Sequence, residues 1–191
     1  MQKHEFFDRD SKHYYFDDID KVVKYCIDNH PEDVRNVLKL ADDACNNYFT
    51  FASKGNMKQV HLPVKFEGEI NWRYKPGNDA EFIYQFNRHR YFISLGQAYA
   101  ISGDEKYAKT FVNHLAHWID NEPLSAHGSS TTTWRTIEAG LRGEFWSKAI
   151  HYFRNSPNLD SSILMKFYNS MVEHAKYLEN HFSPFSLISN W

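Results

Sequence analysis

The chain has 191 residues, of which 42% are hydrophobic, 24% are charged, 8 are glycine and 6 are proline, so its composition excludes a disordered or collagen-like protein. A net charge of −2 gives no electrostatic basis for binding nucleic acid, and the apolar runs are far shorter than the roughly 20 residues that span a bilayer. We therefore expect a globular chain with neither nucleic acid nor a membrane as a partner.

Two amphipathic helices are predicted first. Apolar residues recur at helical spacing from Ile19 to Ile27, behind the acidic cap candidates Asp17 and Asp18. A second helix begins at Pro31, which favours a first helical turn, and its apolar stripe extends to Tyr48. The two helices are expected to pack as an antiparallel hairpin.

Residues 52–78 are predicted to form a long loop, because three glycines and two prolines interrupt the helical spacing there. Within it Val60–Val64 is expected to be briefly extended. Trp72–Lys75 interleaves two aromatic side chains with two cations. Loops of this length in a compact domain are often functional.

Four further helices are predicted, over about Asp79–Ile101, Glu105–Asn121, Thr133–Phe153 and Ser161–His181. Between the first two, Gly103 supplies a helix stop and Asp104 a cap. No strand-rich region or βαβ alternation is present. The predicted fold class is all-α, built from three antiparallel helical hairpins.

One stretch, Leu95–Ala108, is similar to a single tetratricopeptide unit, with small residues that let two helices approach and a Gly-Asp turn. The pattern occurs once and does not recur at a fixed period. Hairpins arranged around a curved solenoid or toroid therefore fit better than identical repeats.

Metal and disulfide chemistry find little support. Cys26 and Cys45 lie on apolar helix stripes and are predicted to be small buried core residues. His114 and His117 could share a helix face, but no carboxylate stands at a matching spacing. We expect no metal site and no cofactor.

The triplet Asn87, Arg88 and His89 interrupts the otherwise apolar and aromatic third helix. Polar side chains on a helix that is mostly buried must find polar partners or line a cavity. The triplet therefore indicates either one wall of a groove or a solvated stripe.

A second polar stretch, residues 128–138, is a hydroxyl-rich loop that enters the fifth helix and contains Trp134 and Arg135. Free backbone N–H groups and a bidentate arginine could bind a carboxylate or a sulfate. The alternatives are ordinary N-capping and a simple ion pair between Arg135 and Glu138, three residues apart.

Several blocks, in this order, carry a family likeness: Trp72–Phe82, Gln85–His89, Leu95-Gly96, Gly103–Tyr107, Trp118-Ile119 and Trp134–Arg142. Together they resemble the N-terminal region of the heparinase II/III family, with the greatest likeness to heparinase III-type heparan sulfate lyases. The resemblance implies that residues 1–191 form the N-terminal part of an incomplete (α/α) toroid, with further helices and a β-sandwich domain outside this chain. It also implies a periplasmic or secreted enzyme.

The activity implied by the resemblance is β-elimination on an acidic, heparan sulfate-like polysaccharide. Asn190 matches the family's asparagine that neutralises the uronate carboxylate. Residues predicted to bind the substrate are Asn87, Arg88, His89, Trp134 and Arg135. The family's tyrosine acid and a later histidine would follow Asn190, so we expect this chain alone to be inactive.

The residues alone, without the family resemblance, are also compatible with other functions. An alginate lyase or a glucuronyl hydrolase on the same architecture would share the toroid. A non-catalytic glycan-binding or helical scaffold protein is the alternative from a different class.

Overall fold

Three helical hairpins form the body of the computed structural model, which describes residues 3–8, 18–51, 60–78, 80–124 and 133–181. The helices are α1 (Lys3–Asp8), α2 (Ile19–Asn29), α3 (Pro31–Cys45), α4 (Ala80–Phe86), α5 (Tyr91–Ser102), α6 (Glu105–Asn121), α7 (Thr136–Tyr152) and α8 (Ser161–Asn180), and the strands are β1 (Tyr48–Phe51) and β2 (Val60–Lys65). Helices α2, α5 and α7 are neighbours in one layer, and α3, α6 and α8 in the other. The predicted hairpins are confirmed.

Aspartate side chains cap the first turns of three helices. The side chain of Asp18 accepts a hydrogen bond from the third residue of α2, and Asp104 accepts one from Lys106 in α6. Asp160 accepts two from the first turn of α8. Gly103 has a φ of 69°, the left-handed conformation that ends α5 at little steric cost. These polar residues explain why the helix boundaries could be predicted well.

The third predicted helix is broken, so the expectation of one helix from Asp79 to Ile101 is wrong. Residues 87–90 form a turn between α4 and α5, and His89 takes a φ of 54°. The backbone N–H groups of Arg88 and His89 bond to carbonyls three residues back, which tightens the helix before the break. The turn contains no glycine or proline, so the usual sequence signal for a helix break is absent.

A two-stranded antiparallel sheet lies between the first two hairpins. Tyr48 pairs with Lys65, and Phe49 with Val64. Tyr48 therefore belongs to a strand rather than to the second helix, whereas the extended segment expected at Val60–Val64 is confirmed as part of β2. Phe49 is buried, and its ring lies 4.7 Å from that of Phe86, so the sheet is fixed to α4.

The core is largely aromatic. Its largest fully buried side chains include four tryptophans and five phenylalanines, which accounts for much of the aromatic content. At Gly96 the helices α5 and α7 approach closely, because a Cβ there would lie 2.5 Å from the Tyr152 ring. The small residue thus admits α7, and not the partner helix α6 as the repeat-like pattern suggested.

The two cysteines are free and half-buried, so their prediction as buried core residues is only partly correct. The hydroxyl of Thr110 lies 3.2 Å from the Cys45 sulfur, which gives that thiol a polar neighbour at the edge of the core. None of the helices in the described part of the chain combines the length and apolar composition that crossing a bilayer requires.

Candidate functional site

A group of polar side chains, which we call the polar cluster, lies at one end of the helical layers. At this end α5 and α7 begin and α6 and α8 finish, because each pair is antiparallel. The cluster is built from these helix ends and from the turn between α4 and α5. Its members are Arg73, Asn87, Arg88, His89, Glu122, Thr133, Trp134, Arg135, Glu138, Arg142 and His174.

Asn87 joins the turn to the neighbouring segments. Its side-chain amide donates to the carbonyl oxygens of Trp72 and Ile83, both at 2.9 Å, and its Oδ1 accepts from Trp118 Nε1 at 2.8 Å. The side chain is fully buried. Every polar atom of this amide thus binds protein, which is what burial of an amide requires.

His89 is fully buried among indole rings. Trp146 Nε1 donates to its Nδ1 at 3.0 Å, and the two rings stack with centroids 5.7 Å apart. Burial holds the pKa of His89 well below its usual value, so the ring is neutral and carries its proton on Nε2. No hydrogen-bond acceptor for that Nε2 exists among the described residues.

Two arginines share one buried carboxylate. Arg88 Nη2 donates to Glu138 Oε1 at 2.9 Å, while Arg135 Nε lies 3.3 Å from Glu138 Oε2. Glu138 is fully buried and Arg88 nearly so, whereas 41% of the Arg135 side chain is exposed. The Arg135 guanidinium also stacks over Tyr84, 3.8 Å from the ring centroid. The ion pair considered from sequence is thus present, but it lies within a larger group.

A second buried carboxylate holds the loop before α4 and the start of α7 together. Glu122 accepts from Arg73 Nε and Nη2 at 3.0 to 3.1 Å, and from the Thr133 hydroxyl at 3.0 Å. Trp134 Nε1 donates to the Glu122 carbonyl at 2.7 Å, and the Trp134 side chain is fully buried. Trp134 therefore anchors the segment that carries Arg135.

Sequence reasoning assigned no role to Arg142, although the structure places it at the centre of the polar cluster. Its Nε donates to His174 Nε2 at 2.9 Å, and its Nη1 donates to the carbonyls of Asn87 and Thr133, also at 2.9 Å. The guanidinium is fully buried between Trp118 and Trp134, 4.1 and 5.0 Å from their ring centroids. The available signal was the spacing: Glu138 stands three residues after Arg135, and Arg142 four residues after Glu138, which puts the three side chains on one face at the start of α7.

Burial controls the protonation of this group. Desolvation lowers the pKa of Arg142 to about 9, against the attraction of nearby carboxylates such as Glu138. Desolvation, with the neighbouring Arg142 charge, lowers the pKa of His174 to about 3. Because an arginine only donates, His174 Nε2 must accept, and its Nδ1 donates to the Ser170 carbonyl at 2.7 Å.

The five residues predicted to bind the substrate all lie in described segments and come together in the polar cluster. They differ in how much of each side chain is exposed to solvent. Asn87, His89 and Trp134 are fully buried, Arg88 is 7% exposed, and all four bind protein atoms. In this arrangement only Arg135 of the five presents substantial surface to a ligand. Asn190 and the hydroxyl-rich residues 128–132 lie outside the described residues.

The histidines considered for metal binding serve other contacts. His114 lies between the Tyr91 hydroxyl at 3.1 Å and Asn47 Oδ1 at 3.0 Å. His117 accepts from Trp72 Nε1 at 2.9 Å. In the described ranges no three side chains suited to a metal ion converge.

The polar cluster carries a surplus of positive charge. Four arginines, Arg73, Arg88, Arg135 and Arg142, face two glutamates, Glu122 and Glu138, so four positive and two negative charges leave +2. The buried histidines are neutral and do not alter this balance at pH 7. The chain as a whole has a charge of −2, so these cluster members favour an anion more than the chain average does, although the Glu173 carboxylate also acts electrostatically on Arg142.

Comparison with known proteins identifies a family and several relatives that are similar to this chain. A family described as "Heparinase II/III N-terminus" matches residues 7–191. A heparin-sulfate lyase of Bacteroides thetaiotaomicron is 34% identical over 119 residues, which cover 62% of this chain and 17% of that protein. A heparin-sulfate lyase of Pedobacter heparinus is 31% identical over 116 residues, which cover 60% of this chain and 18% of that protein.

A solved structure shows the same fold. The crystal structure of heparan sulfate lyase HepC from Pedobacter heparinus matches with a TM-score of 0.69 and 28% identity, over 78% of this chain and 22% of that one. This match confirms the predicted all-α fold. The chain spans about a fifth of the length of these relatives.

Proposed function

The chain belongs to the heparinase II/III family, and we propose that it forms the N-terminal part of a lyase that cleaves an acidic, uronate-containing glycosaminoglycan similar to heparan sulfate. The relatives named heparin-sulfate lyase support the substrate class. The contribution of this chain is to bind the polyanion at the polar cluster.

Arg135 is the observation that carries this proposal. It shares the Glu138 carboxylate with Arg88, so the three side chains together hold one net positive charge. Its Nε faces Glu138, while its Nη groups make no hydrogen bond with any described residue. A half-exposed guanidinium with spare donors is suited to bidentate contact with a sulfate or carboxylate. We propose that Arg135 contacts the polysaccharide. The buried residues Asn87, Arg88, His89 and Trp134 hold Arg135 in place.

Asn190 is proposed to act on the uronate carboxylate. In β-elimination a base removes the proton at C5 of the uronate, the C4–O bond breaks, an acid protonates the leaving oxygen, and a C4=C5 double bond forms. Hydrogen bonds that neutralise the carboxylate stabilise the charge that develops as the proton leaves. The base and the acid of this scheme would come from residues that follow Asn190 in the family's order.

The position of α8 is compatible with this role for Asn190. The ring of Tyr177, in the last turn of α8, lies 5.4 Å from that of Trp134, so α8 ends beside the residue that precedes Arg135. Asn190 follows Asn180 by ten residues, and ten residues reach at most about 33 to 36 Å. The polypeptide is therefore long enough to bring Asn190 to the polar cluster.

Binding of a fluorescently labelled heparan sulfate oligosaccharide to the 191-residue chain tests the proposal. We expect Arg135→Ala to weaken binding about tenfold, the effect of removing a charge-assisted hydrogen bond. The matched control is Arg154→Ala, because Arg154 is exposed just beyond the other end of α7. This control should change the affinity less than twofold.

Two results would contradict the proposal. Equal losses in Arg135→Ala and Arg154→Ala would indicate nonspecific attraction, and no binding by the unmodified chain would remove the polar cluster as a recognition site. Activity is followed separately by the absorbance of the unsaturated uronate product. Steady product formation by this chain alone would show that no downstream acid or base is needed.

A further inference from the structure

Arg142 connects three separate segments of the chain. It reaches from α7 to His174 in α8, to the turn between α4 and α5, and to the segment that enters α7. The two carbonyls it binds belong to Asn87 and Thr133. Asn87 directly precedes Arg88, and Thr133 stands two residues before Arg135, so one guanidinium holds the backbone from which both arginines extend.

Stability alone does not account for an arginine at this place. A fully buried cation loses its hydration, and apolar residues of similar volume often replace buried charges without loss of stability. In addition, Arg142 Nη2 has no hydrogen-bond partner among the described residues. The feature that only arginine supplies is a rigid, planar set of donors that binds several acceptors at fixed angles.

We infer that Arg142 is a positioning residue for polyanion recognition, which sets the place of Arg135 relative to Arg88 and Glu138 by binding the carbonyls of Asn87 and Thr133. The inference rests on the proposed function, since it assumes that Arg135 contacts the polysaccharide. Arg142 itself is fully buried and does not touch the ligand.

Arg142→Lys is the first test, because lysine is a basic side chain of similar length that lacks the planar fork. We expect this variant to weaken heparan sulfate oligosaccharide binding about tenfold, as Arg135→Ala does. The double variant Arg135→Ala/Arg142→Lys should bind no more than about tenfold more weakly than the unmodified chain, because both changes remove the same contact. A loss near one hundredfold in the double variant, or unchanged affinity in Arg142→Lys, would overturn the inference.

A readout without polysaccharide separates this inference from the proposed function. The Nε–H signal of Arg135 in a nitrogen-15 NMR spectrum reports its contact with Glu138. This signal should shift or broaden in Arg142→Lys while the circular dichroism spectrum stays unchanged, and an unchanged signal would overturn positioning. If the unmodified chain fails to bind heparan sulfate, the proposed function fails, but the NMR result still decides whether Arg142 positions Arg135.

His174→Phe is the second variant, used in place of Arg142→Lys if that protein does not fold. Phenylalanine preserves a ring in the cavity and removes the acceptor for Arg142 Nε, whereas His174→Gln keeps an acceptor. We expect the Arg135 signal to change in His174→Phe and to be restored in His174→Gln. Identical spectra for the two variants would contradict the inference.

Discussion

Glu138→Gln is the substitution that most directly probes the polar cluster. The change removes a fully buried carboxylate and breaks its ion pair with Arg88, whose side chain is 9% exposed. Breaking a buried ion pair in this way destabilises a protein by about 3 to 5 kcal/mol. With about 2.1 cal/mol/K of unfolding entropy per residue, a chain of 191 residues has about 0.4 kcal/mol/K, so a loss of about 4 kcal/mol lowers Tm by about 10 °C. Thermal unfolding followed by circular dichroism measures the shift.

The matched control lies on the same helix. Glu144 forms an ion pair with Lys148 on the exposed face of α7, so Glu144→Gln should alter stability by no more than about 0.5 kcal/mol. In the double variant Arg88→Met/Glu138→Gln both charges of the pair are removed, and part of the lost stability should return. Equal Tm values for Glu138→Gln and Glu144→Gln, or strictly additive losses in the double variant, would refute the assignment of a buried pair.

Two other measurements test the core. Gly96→Ala would place a Cβ 2.5 Å from the Tyr152 ring and should lower the free energy of unfolding by about 1 to 3 kcal/mol. The control Gly140→Ala lies in a helix with nothing within 4 Å of the new Cβ and should raise the free energy of unfolding by about 0.5 to 1 kcal/mol. Equal changes for the two variants in urea unfolding would contradict the close approach of α5 and α7. Burial lowers the folded-state pKa of His114 and of His174 to about 3, below the usual 6.5. Between these two pH values the unfolded chain binds more protons than the folded chain, so stability falls as the pH falls. The expected loss at pH 5 relative to neutral pH is about 2 kcal/mol per histidine. His114→Gln should remove about 2 kcal/mol of that pH dependence, and an undiminished loss would show that His114 is not a source of it.

The elements that sequence predicted well are those with local signals. Asp104 and Asp160 cap their helices with their own side chains, and Gly103 takes the left-handed conformation that its residue type favours. Each of these interactions lies within a few residues of chain. Hydrophobic spacing then completes the helices, so their bounds differ from the prediction by only a few residues.

The break at His89 depends instead on distant partners. The Asn87 side chain binds Trp72 and Trp118, and Trp146 holds the His89 ring. These partners stand 15 to 57 residues away in sequence, so no local pattern contains them. The same reason explains why the sequence predicted either a groove wall or a solvated stripe for the triplet, whereas the structure buries it.

The burial of the triplet also makes the prediction of the site more specific. Of the exposed arginines in the polar cluster, Arg73 binds both oxygens of Glu122, so its charge is matched by a whole carboxylate. Arg135 shares Glu138 with the buried Arg88, so among the described residues two cations face one carboxylate there. A sulfate or carboxylate that binds at Arg135 would therefore restore the local charge balance, whereas one that binds at Arg73 would compete with Glu122. For this reason the loss of affinity should be larger for Arg135→Ala than for Arg73→Ala, although both side chains are exposed to a similar extent.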